Sequence, residues 1–116
     1  MQSWIAVGRL DDIPRTGART VATATGPIAL FRTGDDRLFA LLDRCPHKGG
    51  PLSEGIVHGD RVTCPLHNWV IDLASGEAVA PDRGCAPRVP VKLRDGTVWL
   101  ELETVPAIPP RLADHA

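Results

Sequence analysis

Cys45-Pro46-His47-Lys48-Gly49-Gly50 and Cys64-Pro65-Leu66-His67-Asn68-Trp69 are two short loops in which a thiol is followed closely by an imidazole. The sixteen residues 48–63 separate the first Cys/His pair from the second. Each loop offers one soft thiolate and one imidazole, so four protein ligands converge wherever a strand pair brings the loops together. The proline after each cysteine narrows the backbone options, and Gly49 and Gly50 permit tight turning beside a metal. Loops of this kind need a firm frame on both sides, and the flanking sequence is rich in strand signals.

Short segments of Val, Ile, Leu and Phe bounded by turn residues run through the chain, with no long stretch of helical period. Segments 19–24 and 27–33 read as strands separated by Thr25-Gly26-Pro27. Thr33-Gly34-Asp35-Asp36 then turns the chain into Arg37-Leu38-Phe39-Ala40-Leu41-Leu42. Later, Val89, Val91 and Leu93 alternate with Arg88, Pro90, Lys92 and Arg94, and Asp95-Gly96 leads into Val98, Leu100 and Leu102. That spacing predicts a hairpin, because Asp-Gly suits a tight two-residue turn. Between these β-rich ends, residues 43–87 are dense in Gly, Pro, Cys and His and offer only small strands near 56–58, 61–63 and 70–73. Function is expected there, on loops positioned by a β frame.

Length and composition agree with an all-β domain. At 116 residues the chain accommodates one domain with a modest core, and eleven Gly with eleven Pro favour frequent turns. Thirteen basic against fourteen acidic residues give no electrostatic reason to expect nucleic acid or a membrane surface as partner. No run approaches the roughly 20 apolar residues of a spanning helix, and Met1-Gln2-Ser3-Trp4 lacks the profile of a signal peptide, so a cytoplasmic location is expected. Three cysteines cannot all pair with one another, and metal ligation accounts for two of them better than a disulfide framework does. The expected domain is 1–103, with a ligand-bearing subdomain at about 43–87. A proline-rich tail, 104–116, contains Val105-Pro106-Ala107-Ile108-Pro109-Pro110, which lacks the amide protons for a regular ladder.

Cys-X-His followed by Cys-X-X-His at this separation resembles the signature of the Rieske iron-sulfur family. The resemblance implies an antiparallel β-sandwich with a small cluster-binding subdomain at one end. It also implies one 2Fe-2S cluster, with Cys45 and Cys64 on one iron and His47 and His67 on the other. Two neutral imidazoles in place of thiolates make an added electron easier to accept. Such centres accordingly lie at about −150 to +300 mV, against about −400 mV for plant-type ferredoxins. High-potential members carry a disulfide between the loops plus a Ser and a Tyr that donate hydrogen bonds to the cluster side. The matching positions here are Gly50 and Leu66, Trp69 and Ile71, so a low-potential, ferredoxin-like centre is expected.

Other readings of the same residues stand beside this one. Two Cys and two His also suit a closed tetrahedral zinc site, although zinc modules usually pair ligands of one kind in each knuckle. Ordinary core cysteines and turn histidines rarely fall in two matched loops. Cys85, alone in Asp82-Arg83-Gly84-Cys85-Ala86-Pro87, reads as a buried apolar filler, although by resemblance its segment is a third loop covering the cluster. His58 and His115 read as exposed and non-ligating. Trp69 suits either shielding of the cluster, a docking surface or core packing, and Lys48 is a rim charge able to steer an acidic partner.

No glycine-rich nucleotide fingerprint or paired nucleophile and base supplies a catalytic site of the chain's own, so a subunit or carrier role is expected. The run from Cys45 to Gly55, with Cys64–Trp69 and Gly84-Cys85, resembles the small subunit of NAD(P)H-dependent assimilatory nitrite reductase. That resemblance implies an oxidoreductase whose large subunit carries flavin, a 4Fe-4S cluster and sirohaem and reduces nitrite to ammonium in nitrate assimilation. Two alternatives differ in class: a ferredoxin component of a ring-hydroxylating dioxygenase system, and an assembly subunit whose cluster serves stability alone.

Overall fold

The computed structural model describes residues 4–23, 26–46, 50–65, 68–80 and 82–101. Nine strands lie among them: β1 (Trp4–Arg9), β2 (Gly17–Thr23), β3 (Gly26–Arg32), β4 (Leu38–Leu42), β5 (Ile56–His58), β6 (Arg61–Thr63), β7 (Val70–Asp72), β8 (Val91–Arg94) and β9 (Thr97–Glu101). Two single-turn 3-10 helices, Leu10–Asp12 and Leu52–Glu54, complete the described elements. The strands form three antiparallel sheets in the orders β1-β9-β8, β2-β3-β4 and β5-β6-β7. The all-β class expected from the sequence is the observed one.

The middle sheet is apolar on both faces, which its sequence makes possible. Side chains alternate across a strand, so the unbroken run Ile28-Ala29-Leu30-Phe31 buries residues in both directions. Ile28 and Leu30, with Ala40 and Leu42 of β4, pack with Ile13, Val89, Val98 and Leu100 on the β1-β9-β8 side. Ala29 and Phe31, with Leu41, pack with Leu52, Val57, Val62, Ile71, Leu73 and Ala86 on the β5-β6-β7 side. Cys45 and Cys64 belong to this second cluster. Two cores therefore flank one sheet, and one of them carries the expected thiol ligands.

The late hairpin turns at Asp95 and Gly96, with φ of 53° and 78°, the paired left-handed conformation of a tight two-residue turn. Its first arm starts later than expected. Val89 donates its N–H to the Ala40 carbonyl at 2.9 Å and Leu42 donates to the Pro87 carbonyl at 2.9 Å, so residues 87–89 lie against β4. Pro90 then carries the chain across to the outer sheet, where Glu101 N–H donates to its carbonyl at 3.0 Å. Leu93 is exposed rather than inward, although its cross-strand partner Val98 is fully buried. Strand β1, which the local sequence pattern does not announce, exists only by pairing with β9 across a bulge between Ala6 and Gly8.

An ion network ties the first core to the turn after β3. Arg32, 9% exposed, donates from Nη1 to the Ile13 carbonyl at 2.8 Å and the Leu10 carbonyl at 3.2 Å, and from Nε to Asp36 at 2.9 Å. Arg15 reaches Asp36 from outside, and Arg37 bridges Asp35 and Asp60. The Arg15 guanidinium, then that of Arg32, holds the Asp36 carboxyl below its usual range; the Thr33 hydroxyl, then Arg37, does the same for Asp35.

Candidate metal centre

Both loops leave the ends of strands. Cys45 follows β4 and is 3% exposed, whereas Cys64 follows β6 directly and is fully buried. Each cysteine closes its loop in the same way. Cys45 N–H donates to the Gly50 carbonyl at 2.8 Å, and Cys64 N–H donates to the Trp69 carbonyl at 2.7 Å. Both are rings from a residue to the fifth beyond it, so two loops of different sequence present their thiols from the same kind of backbone frame. Asn68, at φ 58°, makes the left-handed step that closes the second ring.

His47 and His67 fall inside these rings by position, but both, with Lys48, Gly49 and Leu66, lie outside the described residues. Among the described residues no set of three or more ligating side chains gathers. Cys45 and Cys64 lie in one apolar cluster and are not joined by a disulfide. Their chemistry fits an iron-sulfur group: two soft donors, held by closed loops and screened from water by Leu52, Val62 and Ile71.

A third segment lies against both loops. Gly84, at φ 138°, approaches so closely that a Cβ there would stand 2.8 Å from the Pro46 Cβ and 3.8 Å from the Trp69 ring. It is held by Ala78 N–H donating to the Gly84 carbonyl at 2.9 Å and Ala86 N–H donating to the Gly76 carbonyl at 2.7 Å. Gly84 was not among the expected site residues, although a glycine before a lone cysteine in a Pro/Gly-rich stretch is a signal of close approach. Cys85 corrects an expectation. It is exposed and not a buried filler, because the bridge between residues 77 and 85 leaves its side chain outward while Ala86 turns into the core.

Trp69 is half-buried and packs against the cluster that contains both thiols. His58 ends β5 as an exposed residue with Nε2 2.7 Å from the Thr63 hydroxyl. His115 lies outside the described residues, as do Leu102 and the expected tail.

Residues 3–94 match the family model for the Rieske [2Fe-2S] domain. The chain belongs to the Rieske family. The Rieske domain binds a 2Fe-2S cluster and serves electron transfer, with redox enzymes as partners. The chain is 38% identical over 104 residues to the anthranilate 1,2-dioxygenase ferredoxin subunit of Burkholderia cepacia, covering 84% of this chain and 91% of that one. A solved complex of reduced oxygenase and oxidised ferredoxin in carbazole 1,9a-dioxygenase contains a chain that superposes with a TM-score of 0.77 at 28% identity, covering 87% of this chain and 94% of that chain. A structure described as a nitrite reductase NADPH small subunit superposes with a TM-score of 0.76 at 25% identity, covering 84% and 97%. Longer oxygenase components also match, but this Rieske chain spans only 22–29% of their length. Among the described residues no helix is long and apolar enough to cross a membrane.

Proposed function

We propose that Cys45, His47, Cys64 and His67 hold the 2Fe-2S cluster and that the chain is the small subunit of a cytoplasmic NAD(P)H-dependent nitrite reductase. Cys45 and Cys64 would hold one iron and His47 and His67 the other, and the cluster would supply one-electron transfer. The protein's part is to fix the ligand loops, exclude water from the thiolate side and present the outer side to a partner. The domain is 1–103, and 104–116 is a tail.

The observation that supports this reading is the meeting of Gly84 with Pro46 and Trp69. That contact joins one residue from each of the three segments that carry the nitrite reductase resemblance, Pro46, Trp69 and Gly84. The partner is then a large subunit that carries flavin, a 4Fe-4S cluster and sirohaem. Affinity capture of the tagged chain from nitrate-grown cells tests it. A captured protein with sirohaem and flavin absorption is expected, and capture of an oxygenase without sirohaem would replace this reading.

The 38% identity to a dioxygenase ferredoxin subunit favours a second reading, in which the chain carries electrons from a reductase to a ring-hydroxylating oxygenase. Electron delivery from the reduced chain to an oxygenase component, followed by stopped-flow absorbance, separates the two.

A further inference from the structure

The two ligand loops are closed alike at the cysteine, but their outer ends are held differently. The second loop connects β6 to β7, and the pair Thr63↔Val70 clamps both ends with strand hydrogen bonds. The first loop has no such ladder. It leaves β4 and runs through Gly50 and Pro51 into the 3-10 turn Leu52–Glu54.

A buried side chain stands where the ladder is missing. Asp43, directly after β4 and two residues before Cys45, is 7% exposed. Its Oδ1 accepts the Ser53 backbone N–H at 2.7 Å, and its Oδ2 accepts the Ser53 hydroxyl at 2.6 Å and the Thr20 hydroxyl at 3.4 Å. Two oxygens gripping two donors of one residue fix orientation as well as distance. Asp43 N–H in turn donates to the Pro27 carbonyl at 2.9 Å, which anchors the clasp to β3. The first loop thus has an inner ring, from Cys45 to Gly50, inside an outer ring, from Asp43 to Ser53. A carboxylate this deeply buried is costly unless its hydrogen bonds are satisfied, and the two shortest of these bonds join the ends of the ligand loop.

We propose that Asp43 is a positioning residue for the cluster, acting through Ser53 to set the orientation of the first ligand loop. The proposal rests on the ligand assignment given above. Its test uses the full cluster-loaded chain with Asp43→Ala, Ser53→Ala and Ser53→Thr, and Val98→Ala as a comparison. Val98 is fully buried in the opposite core, so its truncation lowers stability without touching the loop. Iron release to a chelator at room temperature and the visible circular dichroism of the cluster are read in folded protein.

Asp43→Ala and Ser53→Ala are both expected to alter the visible signature. Ser53→Ala should speed release by about tenfold, the effect of losing one hydrogen bond to a charged group, and Asp43→Ala, which loses three accepted bonds, by at least as much. Ser53→Thr keeps both donors and should restore the original values, while Val98→Ala should leave both readouts unchanged. Release from Ser53→Ala that matches Val98→Ala, or failure of Ser53→Thr to restore the signature, would overturn the proposal. Ser53→Ala decides the matter if Asp43→Ala does not fold, because it removes only the hydroxyl. Cys45→Ala, which leaves no donor atom at that position, separates the underlying assignment: retention of iron and sulfide by that variant removes Cys45 as a ligand whatever the clasp variants show.

Discussion

Replacing Gly55 by alanine should disturb the thiolate side of the cluster site, although Gly55 has ordinary extended backbone, with φ −80° and ψ 179°. The difficulty is space. An added Cβ would stand 2.3 Å from the Thr63 carbonyl oxygen, 2.9 Å from the Val62 Cγ2 and 3.1 Å from the Thr63 carbonyl carbon. Two of these three atoms are backbone, fixed by the pairing of Ile56 with Thr63, and the next residue is Cys64. Relief requires β5 and β6 to part, and β5 is only three residues long. Overpacking costs about 1–3 kcal/mol and a lost ladder bond about 1 kcal/mol, so the substitution should cost about 3 kcal/mol.

Gly59→Ala is the informative comparison. Gly59 has φ 58° but no atom within 4 Å of where a Cβ would stand, so only left-handed strain of about 1–2 kcal/mol applies. At about 4 °C per kcal/mol for a domain of this size, melting should fall by about 12 °C for Gly55→Ala and about 4–8 °C for Gly59→Ala. Thermal scans of cluster-loaded protein at one heating rate, followed by far-ultraviolet circular dichroism, measure both. A larger loss from Gly59→Ala than from Gly55→Ala would refute the steric account of the β5–β6 hairpin.

Arg32→Ala strips hydrogen bonds from the Leu10 and Ile13 carbonyls and from Asp36, and a loss of about 3 kcal/mol in urea unfolding is expected. The lowered Asp35 and Asp36 carboxyls stabilise the fold above the unfolded carboxylate value of about 3.9, and that contribution disappears as pH falls through the lower folded values. Urea midpoints below about pH 4 should therefore fall more steeply for the native chain than for Asp36→Asn. His67→Ala should lose or destabilise the cluster, whereas His58→Ala should leave the visible spectrum unchanged, since exposed His58 turns to Thr63. Protein-film voltammetry should place the midpoint toward the negative end of the range of about −150 to +300 mV; a value well above zero would contradict the reading of Trp69 and Ile71.

Much of the fold was legible because strand pairing leaves a local imprint. The turn at Asp95-Gly96 and the short strands 56–58 and 61–63 lie where composition and alternation put them. Strand β1 was not legible, because its six residues bury none of their side chains fully and its pairing with β9 spans nearly the whole chain. The start of β8 was misplaced for a similar reason: residues 87–89 alternate like a strand, yet their hydrogen bonds go to β4. At the site, spacing singled out the two cysteines that prove to share one buried cluster, whereas the exposure of Cys85 and the approach of Gly84 to Pro46 depend on how the segment 76–86 folds back on itself.

The proposed ligand chemistry is read from the chain order, since a thiol and an imidazole in each of two short loops offer a candidate donor set whatever surrounds them. The β class is written there too, through alternation and turn residues that act over a few positions. Three outcomes arise only once the chain has folded: β3 is buried on both faces, both thiols share one dry cluster, and Asp43 reaches Ser53 around the first loop. They depend on which distant segments meet, and meeting is governed by packing and hydrogen-bond satisfaction over the whole chain, which no local stretch of residues encodes.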